Sequence, residues 1–330
     1  MNKELELWQF IGDHLQKGER VMLLVVATSS GSSPGRPGYK MAVAEDGELM
    51  GSIGGGVMEV NLVDGARTLL SSSPQSGDIA LPPILDQVHR KNVPNSSGMI
   101  CSGKQTVLFK LLTNEDLDIV QAATTGVKTR DGSVLRITSE TIEVLPTKSG
   151  TQNIDIEFEC SSDKDFAYRE RLGAKNDLLV IGGGHCALAL SELMSKMDFH
   201  VSLFDDRPQL NTIEKNEFAD EINVIDSYEN VGEHVVANER GYVVVMTLGY
   251  RSDATVIRQL INRDFKYFGV LGSKAKMATL FRELIDEGYA KERLSKIRTP
   301  IGLPINSHSP EEIAVSIAAE IIAVKNGAKI

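Results

Sequence analysis

Apolar residues recur along this chain in two rhythms, and the change from one to the other divides it. Leu5, Trp8, Ile11 and Leu15 share one face at helical spacing. Residues 21–28, VMLLVVAT, are continuously apolar and rich in β-branched side chains, which predicts a buried strand. The stretch SSGSSPGRPG at 29–38 can continue neither a helix nor a central strand. Two short strands follow, joined at Asp46-Gly47 in a tight hairpin. The second runs into Gly54, Gly55 and Gly56, after which Val57, Val60, Leu62, Val63 and Leu69 return to helical spacing. The triple glycine therefore stands at a strand-to-helix junction. Residues 71–103 collect Ser, Pro, Asn and Gly and read as loop, apart from a strand near 84–89. An apolar strand at 106–112, a helix near 115–125 and a polar hairpin, SVLRITSETIEVL, complete this half.

From residue 177 the rhythm becomes regular. Strands predicted at 177–181, 199–204, 221–225, 241–246 and 266–270 alternate with helical patterns, notably at 186–197, 253–262 and 274–287. Such alternation implies right-handed βαβ units and a parallel sheet covered on both faces. A last helix follows Ser309-Pro310, with Ser309 as N-cap, Pro310 in the first helical position and Glu312 closing a capping box. The chain's 330 residues exceed what one core usually organises. The expected fold is α/β: a C-terminal Rossmann-like, doubly wound parallel sheet over 177–330, preceded by a smaller mixed α+β domain over 1–150. Residues 151–176 lose periodicity and are expected to form a linker.

The glycines at the start of the second half carry candidate chemistry. Gly182, Gly184 and Ala187 fit G-x-G-x-x-G/A directly after a strand and before a helix. The first glycine permits the tight turn, the second lets a pyrophosphate approach the backbone, and the small third residue lets the helix pack on the sheet. His185 and Cys186 lie within this loop, in a structural or a chemical role. Asp205 stands 23 positions beyond Gly182, near the roughly 20 at which a carboxylate bonds a ribose hydroxyl; Asp206 is the alternative. Arg251 and Asp253 follow the fourth strand, where α/β sheets place their ligands, or else form an exposed ion pair. In the first half GSSPGRPG, GSIGGG and CSGK expose backbone amides, which bind anions. On that reading Gly54, Gly55 and Gly56 cradle an anionic ligand, Arg36 and Lys40 supply cations, and Cys101 presents a thiol whose ionisation Lys104 favours. The alternative is that the glycines only make a turn and Cys101 is inert.

Bulk composition narrows the classes. The net charge is −10, without a run of Lys and Arg that would track a phosphate backbone, so nucleic acid is not an expected partner. No window approaches the roughly 18 apolar residues of a membrane span, and the acidic N-terminus lacks a signal-type apolar core, so a cytoplasmic protein is expected. Three dispersed cysteines, Cys101, Cys160 and Cys186, offer neither a disulfide framework nor a zinc spacing, and no metal ligand set is expected.

Several of these segments, taken together and in order, resemble the XdhC/CoxI family, the accessory proteins of xanthine dehydrogenase and related molybdenum hydroxylases. They are TSSGSSPGRPGYKMAVAEDGELMGSIGGGVMEVNLV, GMICSGKQTVLF, LLVIGGGHCALAL, LFDDRP, YFGVLGSKAKM and TPIGLPINSHSPEEIAVSIAAEII. The resemblance covers nearly the whole chain. It implies a maturation factor rather than an enzyme: a chaperone that binds molybdenum cofactor (molybdopterin), supports its sulfuration with a cysteine desulfurase, and delivers it to the apo-hydroxylase. A homodimer is the expected assembly. Two positions depart from the family's pattern. Val57 follows the triple glycine where many members carry a cysteine, and Leu248 lies where many carry a histidine after the fourth strand. These departures argue against a mechanism with two thiols. The competing class is an NAD(P)-dependent oxidoreductase built on the Rossmann loop, with NAD(P) or another nucleotide as its ligand.

Overall fold

The structure is a computed structural model that describes residues 3–71, 83–88, 103–146 and 154–328. The chain forms two compact units, Asn2–Gly173 and Ala174–Ile330.

The first unit begins with α1 (Lys3–Gln16), β1 (Val21–Gly31), β2 (Lys40–Ala44), β3 (Leu49–Gly51) and α2 (Gly56–Ser71). It continues with β4 (Ile84–Val88), β5 (Gly103–Leu112), α3 (Leu117–Thr129), β6 (Val134–Thr138), β7 (Ile142–Leu145), β8 (Ile156–Ser162) and β9 (Asp165–Arg171). Two antiparallel sheets result, ordered β3-β2-β1-β5-β4 and β7-β6-β9-β8. The uninterrupted apolar run of β1 is explained by cover on both faces. Leu23 and Val25, with Ala42 and Ala44 of β2, pack on α1, α3 and the second sheet around Trp8, Ile11, Val120, Leu135 and Tyr168. Met22, Leu24 and Val26, with Met41 and Val43, pack on α2 through Leu62, Val63 and Ala66. The period of two sorts each strand's side chains between the two cores.

One expectation needs correction here. Much of the stretch 151–176, expected to be a linker, is the β8–β9 hairpin, and β9 pairs with β6 inside the first unit. Phe166, Tyr168 and Glu170 point inward from β9. The third inward position is a carboxylate, which hides the apolar alternation that would have marked a strand.

The second unit runs β10 (Asp177–Ile181), α4 (His185–Ser195), β11 (His200–Asp205), α5 (Asn211–Glu214), β12 (Glu221–Val224), α6 (Val231–His234), β13 (Gly241–Val245), α7 (Tyr250–Leu260), β14 (Tyr267–Val270), α8 (Lys274–Asp286), α9 (Lys291–Leu294) and α10 (Pro310–Lys325). Its five strands are all parallel, in the order β12-β11-β10-β13-β14. Leu178 and Val180 face α4 and α10, while Leu179 and Ile181 face α7 and α8, so the sheet is doubly wound as expected. Ser309 and Glu312 form the capping box of α10, with Pro310 in its first turn. Strand order reverses between β10 and β13, and such a sheet receives ligands beyond its carboxyl ends at that point.

Candidate functional site

In the second unit the glycine loop lies at this switch point. Gly182 has φ +107°, and a Cβ there would collide with the Met246 carbonyl at the end of β13, so only glycine fits. Gly183 is close-packed in a softer way: a Cβ would stand 2.7 Å from Ile213 Cγ1, a side-chain atom that would have to shift. Gly184 is open, with no atom within 4 Å of where a Cβ would stand. It is the N-cap of α4, extended and without a side-chain cap, so first-turn amides of that helix are left for an anion. His185 is exposed at the helix start. Cys186 is half-buried, and burial first, then the Glu311 charge, push its thiol pKa up, which disfavours the thiolate.

Asp205 does end β11 as the ribose carboxylate should, but it is fully buried and already engaged. Its Oδ2 accepts from Gly183 N–H at 2.6 Å and Arg207 Nη2 at 2.7 Å; its Oδ1 accepts from Arg207 N–H at 2.9 Å and Nε at 2.8 Å. Burial alone would raise its pKa, yet these bonds outweigh it and hold the carboxyl below the usual range. Asp205 thus braces the glycine loop, which corrects its expected role toward a ribose. The partly exposed Asp206 is the neighbouring carboxylate open to solvent. Tyr228, which sequence reasoning missed, is buried beside Asp205, and burial followed by that charge raises its pKa.

In the first unit residues 32–35, the triple glycine and Gly103 converge. A Cβ on Gly54 would stand 2.5 Å from Gly35 N, and one on Gly103 would stand 2.5 Å from Ser33 N. One on Gly35 would meet the Ile53 carbonyl and, at 2.5 Å, Gln105 Oε1. Residues 32–35 are therefore wedged between the triple glycine and the start of β5, an approach that side chains would forbid. Gly54, Gly55 and Gly56 all have positive φ, at 126°, 75° and 75°. Much of the amide nest they create is filled from within. Glu59, in the first turn of α2, accepts from Ser52 Oγ at 2.6 Å, Ile53 N–H at 2.8 Å and Gly55 N–H at 3.0 Å. Burial works to raise its pKa, and these bonds prevail and lower it. Glu59 was invisible to composition, although an acid three positions past a helix-opening glycine is a signal for it. The side of Gly55 remains open, with nothing within 4 Å of a Cβ position.

Comparison with known proteins fits both units. Residues 178–321 match the family model described as the XdhC Rossmann domain, and residues 14–77 match that of the XdhC and CoxI family. The chain belongs to the XdhC/CoxI family. It is 23% identical over 307 residues, 92% of its length, to the Escherichia coli (strain K12) uncharacterized protein YqeB, covering 43% of that protein. It is 30% identical over 156 residues, 47% of its length, to a probable xanthine dehydrogenase subunit of Bacillus subtilis (strain 168), covering 45% of that protein. The chain thus spans less than half of these curated relatives. A crystal structure described as a xanthine dehydrogenase from Bacillus halodurans shares the fold, with a TM-score of 0.72, 23% identity, and coverage of 100% of this chain and 97% of that one.

For an XdhC/CoxI protein, both departures sit on the surface at the candidate loops. Val57 is 57% exposed and Leu248 is 83% exposed, so neither was exchanged to fill a core. Lys40 is a correction. It is buried on the α1 face of β2, sharing parity with Ala42 and Ala44, and its ammonium binds Glu170 at 2.5 Å and Glu4 at 3.0 Å. Burial would lower its pKa, but Glu170 and Glu4 hold it well above the ordinary lysine value. Lys40 is an internal ion pair and not a cation for a ligand of the glycine loop. Arg36 is exposed and donates to the Ser33 carbonyl at 3.0 Å. Cys101 lies outside the described residues. Lys104, expected to favour its thiolate, is paired with Asp86 at 2.7 Å.

Arg251 is exposed in the first turn of α7. Asp253 is buried, accepting from Thr247 Oγ1 at 2.6 Å and Lys276 Nζ at 2.7 Å, so it ties the β13 loop to α8 instead of forming an exposed pair. Among the described residues His14, Glu19 and Asp46 place possible metal-ligand atoms within 4.8 Å of one another, which the sequence did not suggest. The His14–Glu19 contact, at 2.5 Å, is a direct hydrogen bond.

Proposed function

We propose that this chain is a maturation factor for a molybdenum hydroxylase of the xanthine dehydrogenase type. In this reading it holds molybdenum cofactor as cargo, assists its sulfuration with a cysteine desulfurase, and inserts it into the apoenzyme as a homodimer. The observation that carries the reading is the convergence of residues 32–35, 54–56 and the start of β5 in a chain of the XdhC/CoxI family. Molybdopterin ends in a phosphate, and a backbone cradle with the open Gly55, the first turn of α2 and the exposed Arg36 suits that group. Cys101 and Ser102 directly precede β5, and a thiol there is apt beside a soft dithiolene-bound metal. Glu59 sets a limit on this fit, because it already occupies two of the loop's amides.

The test is incubation of purified protein with isolated molybdenum cofactor, followed by co-elution of pterin fluorescence. Co-elution is expected, together with its reduction in Cys101→Ala. A wild-type protein that emerges free of pterin would refute the reading, and a Cys101→Ala protein that retains it fully would remove the thiol from the binding. A second reading, an NAD(P)-dependent oxidoreductase, is favoured by the open Gly184 and the uncapped start of α4. The engaged Asp205 weighs against it. Absence of NAD(P)H-dependent turnover together with no thermal shift on adding NAD or NADP would exclude it.

A further inference from the structure

The other end of the Rossmann sheet carries a feature that neither glycine loop accounts for. Lys266 N–H bonds the Gly241 carbonyl, so the approach to β14 lies beside the amino end of β13. The glycine loop leaves the opposite, carboxyl end of β10, and the five residues of β13 put roughly 13 Å of strand between the two levels. There the turn after α7, the segment leading into β14, α9 with the turn after it, and Val324 of α10 border an open cleft of about 510 Å³.

Its walls invert the charge of the chain. Arg263, Lys266, Arg293, Lys296 and Arg298 line it, against one lining carboxylate, Asp264, in a protein of net charge −10. Arg293 pairs with Asp264 at 2.5 Å, Arg298 approaches Glu320 at 3.5 Å, and Arg263 donates to the Val235 carbonyl. Five cations thus face two carboxylates. Lys266 and Lys296 are exposed and, among the described residues, have no carboxylate in ion-pair reach. Like charges are gathered at a cost in repulsion, and a bound anion relieves it.

We propose that this cleft binds a small soluble anion bearing a di- or triphosphate, at a site separate from the glycine loop and independent of the maturation role. A concave volume of this size lies in the range of small-molecule sites, roughly 300–1,000 Å³, and suits a compact ligand better than a protein surface. The surplus of positive charge calls for more than a single carboxylate. Guanidinium forks and mobile ammonium groups are the side chains that bind phosphate oxygens best.

The experiment titrates inorganic pyrophosphate by calorimetry into the full Gly184→Asp chain, whose glycine loop carries an added carboxylate, and into the same chain with Lys266→Ala and Lys296→Ala. Circular dichroism verifies that the variants are folded, and the wild-type chain is titrated alongside them as the reference. Pyrophosphate is expected to bind the first chain and to bind the second about ten-fold more weakly or worse. No binding to the Gly184→Asp chain, whether or not wild type binds, or equal affinity with and without the two lysines, overturns the proposal.

Discussion

Glu59 shows how one side chain can decide what a glycine loop does. Around three consecutive residues with positive φ the amides are taken by side chains: Ser52 Oγ accepts from Gly54 N–H, and the Glu59 carboxylate returns from α2 to take those of Ile53 and Gly55. Glu59→Ala leaves both donors without this partner and is expected to cost about 1–3 kcal/mol in urea unfolding. Glu59→Gln keeps an acceptor and should cost less. The carboxyl's pKa is lowered in the folded state. Its contribution is therefore complete above the unfolded value of about 4.3 and is lost as pH falls through the lower folded value. An acid-unfolding profile of Glu59→Gln should lack that part of the decline, and a profile identical to wild type would show that the charge is immaterial. The glycines were legible because their density is a property of composition. Glu59 was not, since its bond to the loop depends on where the first turn of α2 points.

At the scale of elements, the Lys40 cluster ties α1, β2 and the β8–β9 hairpin through Glu4, Lys40 and Glu170, with Tyr168 Oη donating to Glu170 at 2.7 Å. Removing Lys40 takes the ammonium away from a carboxylate that is only 1% exposed. Lys40→Met is accordingly expected to destabilise the protein by about 3–5 kcal/mol, and Lys40→Met with Glu170→Leu to recover most of that loss. Thermal or urea unfolding of the two proteins checks it; a single variant within about 1 kcal/mol of wild type would mean that the pair adds nothing beyond its desolvation cost. Because the lysine pKa is raised, the contribution is fully present below the unfolded value of about 10.4 and is lost only as pH rises through the folded one. The same cluster explains two misreadings. Glu170 broke the apolar alternation of β9 and made a strand look like linker, and Lys40 looked like a ligand cation because only its parity with Ala42 and Ala44 places it on the other face.

For the whole molecule, the second unit was far more legible than the first, and the reason is the range of its contacts. A parallel sheet is built from units that each announce themselves as strand, turn and helix, so β10 to β14 and the loop at Gly182 follow from local pattern. The first unit pairs β1 with β5 across some eighty residues and β6 with β9 across about thirty, and no local signal states those partners. What the site residues do was less legible than where they stand: Asp205 occupies its expected position, yet Arg207, two residues on, consumes it. The hydrophobic clusters divide in the same way, two within residues 5–172 and two within residues 178–324. Each unit therefore encloses its own core, and Ala174–Ile330 expressed alone should keep helical far-UV circular dichroism and unfold in one cooperative urea transition. The slope of that transition should be about half that expected for the full chain, in proportion to the surface exposed. A fragment that is unfolded or lacks a cooperative transition would show that the clusters around Leu178 and Leu179 need the first unit to form.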